Sequence, residues 1–403
     1  MNKKRFFTDF IYGIIGLAVM NAILSLLVYP VIERRLGIEL QGRVLFFMSM
    51  AQLIAGSLGS AANYGRMKIH STERHTVNGE SNIFLLIAAA ITVIVTIAAI
   101  LIKKDRADAT VFGIMAVIFA TTVRMYADVE YRLSLNYKRF AVYYLLIGLG
   151  YGLGLLLFLL TGRWVLVFLT GELFGILFVA LTGTIFRKPF FERTQRWKTH
   201  LATDGKLAVS YFLSDLVGVS DRLLFPLLLT NGDTFTSLYY YASLVGKITS
   251  LLSTPLNGVL SGYIAKKEEG IDRKTFLKII AFLAGVFLAI TAAAVGGSYL
   301  FVYLFYRSHF ETVKGLFVIA NAGQVLFFIC NTLMVIVLRY THERNQLIVN
   351  VIYILLFFGV TVPMILHFGL QGMAWGLLIV NGLKFLTYAA VGCFSIPAGR
   401  KEA

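Results

Sequence analysis

Four charges stand where the surrounding sequence is apolar enough for lipid. The stretch 207–229, LAVSYFLSDLVGVSDRLLFPLLL, holds Asp215, Asp221 and Arg222, and the stretch 235–264 holds Lys247. Each run is long enough to cross a bilayer, which takes about 20 apolar residues for ~30 Å of hydrocarbon. An ionised side chain near the middle of such a helix costs roughly 2.5–3.5 kcal/mol. A helix keeps such a group only against a partner or a wet cavity, so a polar lumen is expected. The chemistry on offer is electrostatic: ion pairing between helices, or binding of a charged ligand.

Spacing sorts these groups onto faces. Asp215 and Arg222 are seven residues apart, two helical turns, and share a face; Asp221 is rotated from Arg222 by about 100°. Lys247, Ser250 and Thr254 make one polar stripe on the next run. Glu172 in GELFG and Lys384 in NGLKFL add isolated charges. Arg124, Asp128 and Glu130 crowd the inner end of the fourth run, and Asn321, Gln324 and Asn331 form a further polar edge. Internal ion pairs would account for any one of the charges. Asp215 with Lys247 is the pair expected first, because counting from the turn near Thr230 puts their depths only ~5 Å apart. Arg124, Asp128 and Glu130 lie near enough to the interface to snorkel to water. Charges on at least four helices of both halves suggest a shared cavity.

The elements that must position these groups are membrane helices. The chain has 403 residues, 58% hydrophobic and 14% charged, with mean hydropathy +0.77. A soluble domain would be near a quarter charged. Runs of spanning length fall at about 10–32, 42–62, 82–102, 109–127, 140–161 and 164–185, then at 207–229, 235–264, 276–305, 315–338, 346–366 and 370–393. The expectation is an all-α polytopic membrane protein of about twelve transmembrane helices. The opening MNKKRFF resembles a signal peptide, but its apolar run continues to about Ile32 without a small-residue cleavage site, so it reads as a retained first helix.

Basic residues orient the helices. They concentrate in the N-terminal segment and in alternate connections, most densely between Phe186 and Lys206, which predicts both termini and that linker in the cytoplasm. This basic connection contains Trp197 and is expected to lie on the lipid surface. It divides the chain into residues 1–185, an N-terminal six-helix bundle, the linker 186–206, and residues 207–403, a C-terminal six-helix bundle. Tyr29-Pro30 ends the first run as Phe225-Pro226 ends the seventh, a weak internal likeness that would make the halves parallel repeats.

Other chemistries find no support in the residues. There is no P-loop, HExxH, Gly-rich nucleotide motif or Cys/His cluster, so no catalytic group, metal or cofactor is expected and the chain does not read as an enzyme. The connections are too short for a membrane glycan polymerase or ligase, which stands as the least favoured alternative. Cys330 and Cys393 lie inside apolar runs as small core residues. The net charge of +16 sits in orienting loops without an aromatic-interleaved basic run, so nucleic acid is not an expected partner.

Two hairpins carry a resemblance. Residues 29–50, YPVIERRLGIELQGRVLFFMSM, and 220–255, SDRLLFPLLLTNGDTFTSLYYYASLVGKITSLLSTP, resemble the first hairpins of the two halves of Wzx-type O-antigen and capsule flippases. These form the polysaccharide branch of the multidrug/oligosaccharidyl-lipid/polysaccharide exporter superfamily. TNGDTFTS departs from the Gly-rich turn of that pattern. The resemblance implies two six-helix bundles around a central cavity in the bacterial inner (plasma) membrane. It implies a flippase carrying undecaprenyl-pyrophosphate-linked oligosaccharide from the cytoplasmic to the outer leaflet by alternating access, for surface polysaccharide biosynthesis. Membrane lipids and other polysaccharide-assembly proteins are the implied partners. Arg222, Lys247 and Lys384 would bind the pyrophosphate, with Arg124 as a further cation and Tyr240 meeting sugar. Asp215, Asp221, Glu172 and Asp128 would couple H+ or Na+, or serve as internal ion pairs. A cation-coupled multidrug exporter of the same superfamily is the alternative.

Overall fold

Proline and glycine set the joints of this computed structural model, which describes residues 3–73, 77–103, 109–187, 189–251, 271–338 and 343–396. Helix α1 (Lys3–Ala22) runs into α2 (Tyr29–Glu73) through a π-helical turn, Ile23–Val28. Pro30 follows at once. A proline has no N–H and crowds the carbonyl four residues back, and a widened turn absorbs that misfit. The same device recurs where the π-turn Phe357–Thr361 joins α12 (Glu343–Leu356) to α13 (Val362–Ser395) just before Pro363.

The two long elements α2 and α13 each reverse direction at a glycine. Gly37 has φ 82° and Gly369 has φ 55°, conformations a side chain resists. In α2 the Gln41 Nε2 donates to the Tyr29 carbonyl at 3.3 Å, although twelve residues of unbroken helix would set them ~18 Å apart. In α13 Gly372 packs on the Met364 carbonyl and Gly376 on Thr361. Both elements are therefore helical hairpins.

The other helices are α3 (Asn78–Lys103), α4 (Ala109–Ala127), α5 (Val129–Leu133), α6 (Tyr137–Thr161), α7 (Val165–Thr182), α8 (Trp197–Leu228), α9 (Gly232–Leu251), α10 (Arg273–Phe305) and α11 (Phe317–Leu338). Eight described stretches are long and apolar enough to cross a membrane. Two of these contain the hairpins, which makes ten legs, and α8 and α9 are two further long helices among the described residues. The chain is an all-α polytopic membrane protein, with no strand among the described residues. The expected continuation of α9 to 264, with Thr254, Pro255 and Asn257, lies outside the described residues, as do Lys266 and Lys267.

The chain divides into two compact units, Met1–Leu223 and Leu224–Ala403, so the division falls inside α8. In the first unit, α6 and α7 touch through glycines: Gly150 meets Gly171, and Gly154 meets the Val167 backbone. In the second, Phe276, Val325, Ile329 and Leu333 lie at the centre of an apolar core that holds α10, α11 and α13 together. The basic linker differs from expectation. Its last ten residues are helical and belong to α8, which begins at Trp197. The preceding stretch is held to α3, where Thr194 N–H and hydroxyl both donate to Glu80 Oε1, at 2.7 and 2.6 Å.

Candidate functional site

Charged side chains collect inside each unit, and each collection has its own solution to burial. In the first unit the C-terminal end of α4 places Arg124 against α7, where its Nε donates to Glu172 Oε2 at 2.6 Å. These side chains are 7% and 1% exposed. From α6, Tyr151 donates its hydroxyl to Glu172 Oε1 at 2.8 Å and Tyr143 donates to the Arg124 carbonyl at 3.0 Å. A buried ion pair is held at tolerable cost only when its remaining hydrogen-bonding capacity is met; Tyr151 does this for the carboxylate, while Tyr143 ties down the backbone carbonyl of the arginine.

One turn further, Asp128 has a second set of partners. It accepts from Asn63 Nδ2 of α2 at 2.5 Å, from Tyr144 hydroxyl at 2.8 Å and from Arg132 Nη2 at 2.9 Å. Arg132 reaches on to the Tyr64 hydroxyl at 3.4 Å. Arg124 and Asp128 therefore do not snorkel as their sequence position suggests: both are buried, because tyrosine and asparagine donors replace water. Glu130 does reach the edge, where it accepts from the Thr184 N–H at 3.1 Å.

The α8 residues fall at the margin of this unit. Asp215 is half-buried with a carboxylate oxygen against Gly56 of α2. Asp221 is buried, and the half-buried Arg222 lies within electrostatic reach of the Tyr29 hydroxyl.

In the second unit Lys384 of α13 is 6% exposed. Its ammonium lies 4.0 Å from the centroid of the Tyr353 ring and 5.2 Å from that of Phe327. Its helix neighbour Asn381 accepts from the Tyr353 hydroxyl at 2.8 Å and donates to the Gly323 carbonyl at 2.9 Å, which fixes the aromatic wall. No carboxylate pairs with Lys384 among the described residues. Two ring faces soften the burial of a cation without neutralising it. Tyr240 of α9 is fully buried, its ring 6.1 Å from that of Tyr241. Lys247 is half-buried beside Gly246, whose N–H donates to Asn321 Oδ1 at 2.7 Å. Asn321, read from sequence as part of a polar edge, instead binds α9, α10 and its own helix through Ala242, Ser298 and Phe317.

Sequence reading passed over Tyr143, Tyr144, Tyr151, Asn63 and Arg132. A signal was present: Tyr144 and Tyr151 are seven apart, on one face of α6.

The fold has known counterparts. No family model and no curated protein matches the sequence. Among solved structures, an inward-facing multidrug resistance transporter of the MATE family, in the MOP superfamily, matches with TM-score 0.68 at 16% identity, covering 94% of this chain and 97% of that one. The lipid II flippase MurJ in an inward closed conformation matches with TM-score 0.65 at 13% identity, covering 98% and 87%. A MOP superfamily transporter from Pyrococcus furiosus, described as having a binding pocket of reverse polarity, matches with TM-score 0.63 at 15% identity, covering 97% and 94%. At these identities the likeness is one of fold, and it extends over nearly the whole chain.

Proposed function

We propose that this chain is a MOP-superfamily transporter that flips undecaprenyl-pyrophosphate-linked oligosaccharide across a bacterial plasma membrane, supplying units for surface polysaccharide such as O-antigen or capsule. The observation that carries this reading is Lys384, a buried cation among aromatic faces with no carboxylate partner among the described residues. A pyrophosphate is an anion that such a group can meet with charge-assisted hydrogen bonds. Arg222 and Lys247 are the other cations of the proposed path. Arg124 and Tyr240 are its weaker members, since Glu172 engages the first and the second is buried. The headgroup would cross on this polar path while the polyprenyl tail stays in lipid, because an isolated charge in hydrocarbon costs tens of kcal/mol.

The test is transport by purified protein in vesicles. Fluorescent lipid-linked oligosaccharide should change leaflet, and Lys384→Ala or Arg222→Ala should reduce that rate at least about tenfold, as loss of one charged hydrogen bond implies, while the amount of folded protein holds. Asp215, a carboxylate within an apolar span, favours a second reading as a cation-coupled multidrug exporter. Extrusion of a cationic dye with no movement of lipid-linked sugar would establish that reading instead.

The proposed orientation puts both ends of the chain and the 186–206 linker in the cytoplasm, on the strength of its basic residues. With Cys330 and Cys393 replaced, Ser308→Cys should be labelled by an impermeant maleimide in intact cells, and Trp197→Cys only after lysis. Labelling of position 197 from outside would reverse the topology.

A further inference from the structure

One face of α8 is ionisable or phenolic along most of its length. Asp204, Tyr211, Asp215 and Arg222 follow at intervals of seven, four and seven residues, within about 20° of one line along the helix. Three of these positions meet α2 directly or nearly so. The Asp204 carboxylate lies on Gly65, the Tyr211 ring stands 5.6 Å from the Tyr64 ring, and the Asp215 carboxylate lies on Gly56. Glycine at 56 and 65 is what admits the carboxylates, since a Cβ at Gly65 would occupy the place of Asp204 Oδ1.

Asp204 is the member whose position is hardest to explain as structure alone. It is 5% exposed, and its Oδ1 has no hydrogen-bond partner among the described residues. Among the described residues, the titratable groups that face it are His200, one turn earlier on α8, and Glu80 of α3. Those two are joined to each other, His200 Nδ1 to Glu80 Oε2 at 2.6 Å. Arg66, the neighbour of Gly65 on α2, is turned away to the Tyr126 hydroxyl at 2.5 Å and Asn78 Oδ1 at 2.8 Å. A carboxylate here would be an enclosed charge offset only by His200, whose ring is already bonded to Glu80; the neutral acid carries no charge to bury. Burial accordingly pushes the Asp204 carboxyl up to about 8, against the pull of His200 and with the help of Glu80.

We propose that Asp204 is a proton-binding site: its carboxyl holds a proton while α8 lies on Gly65, and loss of that proton to water weakens the contact between the first turns of α8 and α2. A metal cation would need several oxygens around it, and the Gly65 face offers Cα hydrogens while Glu80 is taken by His200 and Thr194. The ligand is therefore H+. This rests on the transporter reading only for its use, since proton binding and helix docking can both be measured without any substrate.

Linkage fixes the direction. A carboxyl that titrates higher when docked than when released favours docking in acid. The preference falls as pH rises from the ordinary carboxylate range to about 8 and changes no further above it. A single proton can change the docking equilibrium by no more than about tenfold per pH unit.

The test uses the full chain in lipid nanodiscs. Infrared difference spectra should show a protonated-carboxyl band that titrates at about pH 8 and is absent in Asp204→Asn. Amide exchange of residues 197–210, corrected for its intrinsic pH dependence, should lose protection between mild acid and pH 8 in the parent. Asp204→Asn, a permanent mimic of the neutral acid, should keep it. His200 is itself titratable, so the difference between parent and variant is the readout. His200→Gln should retain the band, moved to higher pH because the opposing charge is gone. A band that survives in Asp204→Asn, or a loss of protection that is the same in both proteins, would overturn the proposal while leaving the transport reading untouched.

Discussion

Arg124→Ala should deplete the folded protein in the membrane, and adding Glu172→Ala to the same chain should bring much of it back. The two side chains meet at 2.6 Å with 7% and 1% exposure, and no other cation is bonded to Glu172 among the described residues. Removing the arginine leaves a buried carboxylate held only by the Tyr151 hydroxyl, and breaking such a pair costs about 3–5 kcal/mol. Removing both groups leaves a cavity but no orphaned charge, which is the smaller penalty. Arg124→Ala combined with Glu172→Gln should fall between, since the amide keeps an acceptor for Tyr151 and relieves the charge. Thermal unfolding in detergent and membrane abundance would read the parent, Arg124→Ala, Glu172→Ala and the two double changes. If the double change is as damaging as the sum of the singles, the pair is not what holds this region.

The contrast with Lys384 shows what burial statistics alone conceal. Both Arg124 and Lys384 are cations with almost no exposure, yet one has a carboxylate and two tyrosines around it and the other has rings. A cation paired with a carboxylate of its own protein is positioned to hold helices together. Under the proposed function, a cation without a carboxylate beside it is the one that would meet an anionic ligand.

Much of the architecture was legible from the sequence. Apolar runs of spanning length locate the helices, whereas the joints at Gly37, Pro363 and Gly369 emerge only in the structure, where each forbids or permits a particular backbone conformation. Partnering was not legible. Arg124 finds Glu172 across 48 residues and Asn63 finds Asp128 across 65. In helices that are apolar all round, hydrophobic periodicity gives no sign of which face turns inward. The start of α8 is hidden for a related reason: a charged stretch next to a span resembles a surface linker, and only the Glu80–His200–Thr194 contacts show that it is tied down. Lys384 was singled out by charge alone, while its aromatic walls come from Phe327 of α11 and Tyr353 of α12, distant in the chain.

Glycine spacing on α6 and α7 leads to the sharpest contrast expected from a single helix. Gly150 and Gly154 on α6, and Gly171 and Gly175 on α7, are each four apart and share a face. In lipid no hydrophobic force favours helix contact over contact with acyl chains, so association depends on close backbone approach at such small residues. The approach here is tight. A Cβ at Gly154 would stand 2.7 Å from the Val167 Cα and carbonyl oxygen, whereas one at Gly152 would meet nothing within 4 Å. Gly154→Leu should therefore force the helices apart, costing about 3 kcal/mol or more, the upper range for overpacking against backbone that cannot yield. It should also strain the Tyr151–Glu172 hydrogen bond that crosses the same seam. Gly152→Leu, two residues away on the same helix, should leave stability within about 1 kcal/mol of the parent, the scale of a helix-interior glycine replacement. Thermal unfolding midpoints of the two variants, side by side in one detergent, would decide the matter. Equal effects would mean that the leucine side chain itself, and not the α6–α7 contact, limits the fold.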